Sequence, residues 1–122
     1  IVGRLKDMIR RSSQNISALE VEQVVMTTPG VQLAAAVAVP DDYRGEEIKV
    51  YVKLEDQATP GSVHPEAVIE TCAAALSSYK VPRFIEFVDD FVYTASSKID
   101  KPALLRGVGD LRAGAWDREA TS

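Results

Sequence analysis

At 122 residues, 46% of them hydrophobic and 26% charged, the chain has the size and composition of one globular domain. Its net charge of −4 opposes a polyanion-binding role and therefore a nucleic-acid partner. No apolar run nears the ~18 residues of a membrane span, and one cysteine excludes an internal disulfide and fits a reducing, cytoplasmic compartment. The opening Ile1-Val2-Gly3-Arg4, without methionine or a signal-peptide pattern, reads as the middle of a longer protein.

Taken in chain order, the first element is a two-stranded ribbon, Met8–Arg10 against Gln14–Ile16, turning at the polar cluster Ser12-Ser13-Gln14-Asn15. Ser17-Ala18-Leu19-Glu20 fits a capping box, in which the serine hydroxyl accepts from the Glu20 amide and the Glu20 carboxylate reaches back. The helix so started runs to about Thr27, with Ala18, Val21, Val24 and Val25 on one face, and Pro29-Gly30 ends it. Val31 to Val39 is a near-continuous apolar run, hence a buried strand. A polar turn follows from Pro40 to Glu46. Ile48, Val50, Val52 and Leu54 then alternate with Lys49, Tyr51 and Lys53, the period of a half-exposed strand.

After a loop from Asp56 to Gly61, Pro65 suits a first helical turn, where its missing amide donor costs nothing. Val68, Cys72, Leu76 and Tyr79 follow at helical spacing until Pro82, and Arg83 to Val88 is a third strand. Cys72 on that apolar stripe is a core residue rather than a reactive thiol. His64 has no second ligand nearby in sequence, so no metal site is predicted. A polar stretch, Asp89 to Ser97, leads to Lys98 and a short helix around Pro102 to Arg106. The rest, Gly107 to Ser122, has the Gly- and charge-rich composition of a poorly ordered tail, with Trp116 either docked on a neighbouring surface or exposed. The predicted fold is α+β, a small three-stranded sheet with flanking helices plus a short N-terminal two-stranded ribbon. That layout serves many functions and names none.

Four motifs in order carry more. They are Gly3-Arg4-Leu5-Lys6-Asp7-Met8-Ile9 with Asn15-Ile16 and Glu20-Val21-Glu22; Pro29-Gly30-Val31 with Ala36-Val37-Ala38-Val39-Pro40-Asp41 and Arg44-Gly45-Glu46; Tyr79-Lys80-Val81-Pro82-Arg83 with Phe87-Val88-Asp89; and Thr94-Ala95-Ser96-Ser97-Lys98-Ile99. Each alone is weak. In register they resemble the C-terminal domain of the acyl-adenylate-forming (AMP-binding) superfamily, closest to acyl-CoA synthetases.

The resemblance implies an acid–thiol ligase of fatty acid metabolism. A carboxylic acid attacks the α-phosphate of ATP, held with Mg2+, to give acyl-AMP and pyrophosphate, and the thiol of CoA then displaces AMP. It further implies that residues 1–106 are a lid domain, with 1–7 at the hinge and 107–122 a tail. A large N-terminal domain of the same polypeptide would bind ATP and the acyl group, so the fragment alone would be inactive. Lys98 matches the catalytic lysine of the family, a mobile cation between two anionic reactants; by position alone it would be an ordinary loop lysine. Arg4 matches a nucleotide-binding arginine, Lys6 the hinge residue, and Ser12, Ser13, Gln14 and Asn15 the loop lining the CoA tunnel.

This chain departs from the family pattern at three places. Ser12-Ser13 stand where Gly-Gly is common, Ser97 replaces a glycine, and Val92-Tyr93 replace a proline and a basic residue. Arg10 and Arg11 either meet CoA phosphates or form a solvated face, and Lys101, Glu20 and Glu22 are read as surface or capping residues. Alternatives of the same chemistry are an adenylation domain loading a carrier protein and a catalytically silent relative. A stand-alone binding module presenting Arg4, Lys6, Arg10 and Arg11 to nucleic acid lacks the interleaved aromatics that strand stacking needs.

Overall fold

The computed structural model describes residues 8–11, 14–41, 45–55, 63–105 and 115–118. The expected ribbon forms as β1 (Met8–Arg11) and β2 (Gln14–Ser17), antiparallel with Ile9 opposite Ile16. Helix α1 (Ala18–Val25) starts where the serine cap placed it, the Ser17 hydroxyl accepting from the Glu20 amide at 3.3 Å. The reciprocal half of the box is replaced: the Glu20 carboxylate is taken by Lys80, 3.0 Å away. The helix stops two residues short of Thr27, and the Thr27 and Thr28 amides tighten onto the Val24 and Val25 carbonyls at 3.0 Å. Gly30 then adopts a φ of 90°, and a Cβ there would lie 2.7 Å from a Val63 methyl, so glycine is required at this turn.

β3 (Val31–Asp41) and β4 (Gly45–Leu54) form a long antiparallel pair with Ala36 opposite Val50. The strands consume both ends of the predicted Pro40–Glu46 turn. Helix α2 (Pro65–Ala75) crosses to β5 (Phe84–Val88), which lies parallel to β4 with Val50 opposite Ile85. The predicted helix to Pro82 breaks at Leu76, which is extended (φ −120°, ψ 155°), and resumes as a 3-10 turn at Ser78–Lys80. Ser77 and Ser78, residues that compete with helix, occupy the break. Leu76 and Tyr79 still pack on the core. Helix α3 (Lys101–Leu105) follows, and β6 (Trp116–Asp117), inside the stretch read as a tail, pairs with β5.

The fold class is therefore α+β as expected, but the sheet is larger. The ribbon is not separate: Arg11 of β1 pairs with Gly45 of β4, so one six-stranded sheet results. Two consecutive carboxylates make that junction. Glu46 accepts from the Arg10 amide at 2.7 Å, and Glu47, fully buried, accepts from the Arg11 guanidinium at 2.6 Å.

β4 also differs from its half-exposed expectation, being buried on both faces from Glu47 to Val52 and nearly so at Lys53. Ile48, Val50 and Val52 meet Val21 and Val25 of α1 and Val68 and Cys72 of α2. On the opposite face Tyr51 lies with Ala35, Val37 and Phe91 under Ile99, Leu104 and Leu105. The alternation of lysines with apolar residues marks two buried faces, because each lysine has a partner. Lys49, 1% exposed, meets Glu86 at 2.7 Å and lies 4.3 Å from the Tyr51 ring centre, and Lys53 bonds the Gln32 side chain. Cys72 is buried as expected, and burial pushes its thiol up to about 11, so it stays protonated and unreactive.

Candidate functional site

Lys98 sits on a small hairpin that stands off the second face of the sheet. Phe91 anchors one leg in the core, with the Asp90 carboxylate accepting from the Phe91 amide at 2.7 Å and from the Tyr93 hydroxyl at 3.2 Å. Tyr93 and Ile99 form an antiparallel bridge, and the Asp100 amide donates to the Val92 carbonyl at 2.8 Å. The tip is a three-residue loop closed by Thr94, whose amide donates to the Lys98 carbonyl at 2.7 Å and whose carbonyl accepts from Ser97 at 2.9 Å. The Thr94 hydroxyl accepts from the Lys98 amide at 3.3 Å. The backbone of the lysine is thereby held while its side chain is exposed.

Of the lysines among the described residues, Lys49 meets Glu86, Lys53 meets Gln32, Lys80 meets Glu20 and Lys101 meets Glu22. Among the described residues, Lys98 alone of these lysines has no hydrogen bond or ion pair from its ammonium. The partners of the others do structural work. The Glu20 hydrogen bond, for instance, raises the Lys80 pKa against the opposing effect of desolvation.

Ser97 has a φ of 67°, left-handed backbone that the loop demands and that glycine adopts without a Cβ penalty. This gives the glycine-to-serine departure a physical meaning: the loop keeps its shape under strain. We expect Ser97→Gly to stabilise the chain by about 0.5–1 kcal/mol in thermal or denaturant unfolding. Lower stability in the glycine variant would show the left-handed serine to be unstrained.

The second candidate region is the β1–β2 hairpin. Gln14 and Asn15 lie exposed at the start of β2, opposite Arg11 and Arg10. Ser12, Ser13, Arg4 and Lys6 lie outside the described residues. Arg11 belongs to neither alternative of the sequence reading. It is buried on Glu47, with a longer bond to the Tyr79 carbonyl at 3.4 Å, while Arg10 is exposed. Behind this hairpin Arg83 adds a second guanidinium 3.6 Å from Glu47 and grips Asp117 through two bonds of 3.0 and 3.1 Å.

Three further residues escape sequence reasoning: Glu47, Glu22 and Lys101. Glu22 Oε2 accepts from the Ala36 amide of β3 at 2.8 Å and pairs with Lys101 at 2.7 Å, so both are half-buried and paired rather than freely solvated. Their separation along the chain hid them; the one local signal was the acidic Glu46-Glu47 pair at the start of β4. Among the described residues no group of three or more His, Cys, Asp or Glu could hold a metal ion.

The family model of the AMP-binding enzyme C-terminal domain matches residues 20–98, ending on the lysine of the hairpin. A long-chain-fatty-acid–CoA ligase of Escherichia coli is 39% identical over 120 residues, covering 98% of this chain and 20% of the ligase. A 4-hydroxybutyrate–CoA ligase of Metallosphaera sedula is 40% identical over 103 residues, covering 84% of this chain and 18% of the ligase. Among solved structures, a Mycobacterium tuberculosis fatty acyl CoA synthetase superposes with a TM-score of 0.75 at 31% identity, over 83% of this chain and 19% of that one. The chain thus spans about a fifth of the length of the curated relatives it matches. With a fold of this shape and a family match over residues 20–98, the chain belongs to the AMP-binding enzyme C-terminal domain family.

Proposed function

We propose that this chain is the lid domain of an ATP-dependent acyl-CoA synthetase and that Lys98 is its adenylation lysine. One observation carries the reading: among the described lysines, Lys98 alone offers an unpaired ammonium, and it does so from a hairpin whose backbone is fixed. In the first half-reaction a substrate carboxylate oxygen forms a bond to the α-phosphorus of ATP while the bond to the pyrophosphate oxygen breaks. Two anions must meet, and a cation contacting both lowers their repulsion and stabilises the charge in transit. An ammonium already neutralised by a carboxylate, like that of Lys101, could not do this.

The remaining assignments follow the same reading. A large N-terminal domain of the same polypeptide holds ATP, with its Mg2+, and the acyl group. Arg4 contacts the nucleotide and Lys6 is the hinge. In the second half-reaction Ser12, Ser13, Gln14 and Asn15 line the path of the CoA thiol, which attacks the acyl carbon and releases AMP. Residues 1–106 form the lid and 107–122 its C-terminal extension, in a cytoplasmic enzyme. The acid itself is set by the partner domain: relatives named for a long-chain fatty acid and for 4-hydroxybutyrate are equally similar to this chain.

The test is isotope exchange. The intact protein, offered a series of aliphatic and aromatic acids, should catalyse acid-dependent ATP–pyrophosphate exchange and, with CoA added, release AMP; residues 1–122 alone should do neither. Absence of exchange across the series would overturn the reading. Exchange followed by transfer to a phosphopantetheinyl carrier but not to CoA would replace the acceptor.

A further inference from the structure

Helix α3 begins three residues after Lys98 and is only five residues long, too short to hold itself by its own hydrogen bonds. Asp100 caps it, its carboxylate accepting from the Ala103 amide at 3.2 Å, and Leu104 and Leu105 lie against the sheet. At its first residue, Lys101 reaches Glu22 of α1 at 2.7 Å. The side chains of this pair are only 21% and 12% exposed, so solvent and salt screen it weakly. Glu22 is itself immobilised, because the same oxygen accepts from the Ala36 amide on β3. One carboxylate thus ties together α1, β3 and the start of α3.

The hairpin bearing Lys98 has two legs. Phe91 and Asp90 secure the first. The second runs from Lys98 through Ile99 and Asp100 directly into Lys101. We infer that Glu22 is a positioning residue for Lys98: through Lys101 it fixes the second leg of the hairpin to α1 and β3, and so sets where the ammonium stands. Glu22 and Lys101 touch no reactant. Their contribution is to hold a long, otherwise free side chain within the narrow tolerance that charge stabilisation requires, since a misplacement of about 1 Å can cost up to 100-fold in rate. The inference rests on the adenylation reading of Lys98 and adds to it a dependence on a residue 76 positions upstream in the chain (98 − 22).

The experiment uses the intact enzyme and assays the two half-reactions separately. Glu22→Gln retains an oxygen to accept from the Ala36 amide and loses the charge that holds Lys101. It should lower kcat for acyl-AMP formation on the order of ten-fold, leave KM for ATP unchanged, and leave thioester formation from supplied acyl-AMP within about two-fold. Lys101→Met should reproduce this profile, Lys101→Arg should recover most of the lost rate, and combining Glu22→Gln with Lys101→Met should cost little more than either alone. Equal loss in both half-reactions, or undiminished adenylation, would overturn the inference. Lys98→Ala run in parallel separates the two levels: if it selectively loses adenylation while Glu22→Gln does not, only the positioning role fails. If Lys98→Ala spares adenylation, the lid reading and the inference fall together.

Discussion

Lys98→Ala in the intact enzyme should lower acyl-AMP formation by about 100- to 1,000-fold and leave thioester formation from supplied acyl-AMP nearly unchanged. The size follows from what is removed. A preorganised charge aimed at a transition state is worth about 3–4 kcal/mol when its site excludes water, and it needs no reorganisation at the moment of reaction. Selectivity follows from the chemistry. Adenylation brings a carboxylate to a polyphosphate, whereas attack of the CoA thiol on acyl-AMP has no such collision to relieve. The alanine variant should fold normally. The Lys98 side chain is exposed and unpaired, and the bonds holding the hairpin tip come from backbone groups and the Thr94 hydroxyl. Surface truncations of this kind change stability by less than about 0.5 kcal/mol. Pyrophosphate exchange measures the first half-reaction and thioester release from synthetic acyl-AMP the second. Comparable loss in both would mean that Lys98 binds or folds rather than catalyses. Lys98→Arg should recover only part of the rate, because a planar guanidinium does not reproduce a compact point charge on a flexible stem.

What was legible in the sequence was local. Ser17 announced the start of α1, Pro29-Gly30 its end and Pro65 the start of α2, because each acts through its own backbone or that of near neighbours. The Lys98 motif was legible only through the family resemblance; the hairpin that Thr94 to Ile99 form was not, since the residues before Lys98 read simply as a polar stretch. What stayed hidden depends on partners far along the chain. Lys49 and Lys53 look like the solvent face of a strand until Glu86, Gln32 and the Tyr51 ring are brought to them. The break in α2 at Leu76 was masked by Leu76 and Tyr79 keeping their apolar contacts after the helix had ended. The pairing of Trp116 and Asp117 with β5 is likewise fixed from outside, by Arg83 on Asp117 and by the Arg118 guanidinium on the Pro82 carbonyl at 3.0 Å. At the candidate site, the family resemblance pointed to Lys98, and the sequence was silent on the Glu22–Lys101 pair that joins α1 to the start of α3.

The second large effect concerns Glu47. Glu47→Ala should destabilise the domain by about 3–5 kcal/mol, the cost of leaving a buried charge unpaired, which lowers Tm on the order of 10 to 20 °C at this size. Glu47 is fully buried and lies 2.6 Å from the Arg11 guanidinium and 3.6 Å from that of Arg83. Arg83 keeps Asp117 and Asp41 when Glu47 is lost, but Arg11 keeps only a weak bond to the Tyr79 carbonyl among its described side-chain partners. The penalty therefore falls on Arg11 and on the junction where β1 joins the sheet. Glu47→Gln, which still accepts a hydrogen bond, should cost less than the alanine change. The decisive variant is Glu47→Met combined with Arg11→Met, because replacing both members of a buried pair with apolar side chains removes the stranded charge and fills the volume. We expect the double variant to recover most of the stability lost in Glu47→Ala, measured by urea unfolding with the slope monitored for changes in compactness. A loss below about 1 kcal/mol in Glu47→Ala would place the pair with solvent-screened surface bridges. A double variant no more stable than the single would show that Glu47 serves Arg83, and that the β1–β2 hairpin is held to the sheet by backbone pairing at Gly45 and the Glu46 bond instead.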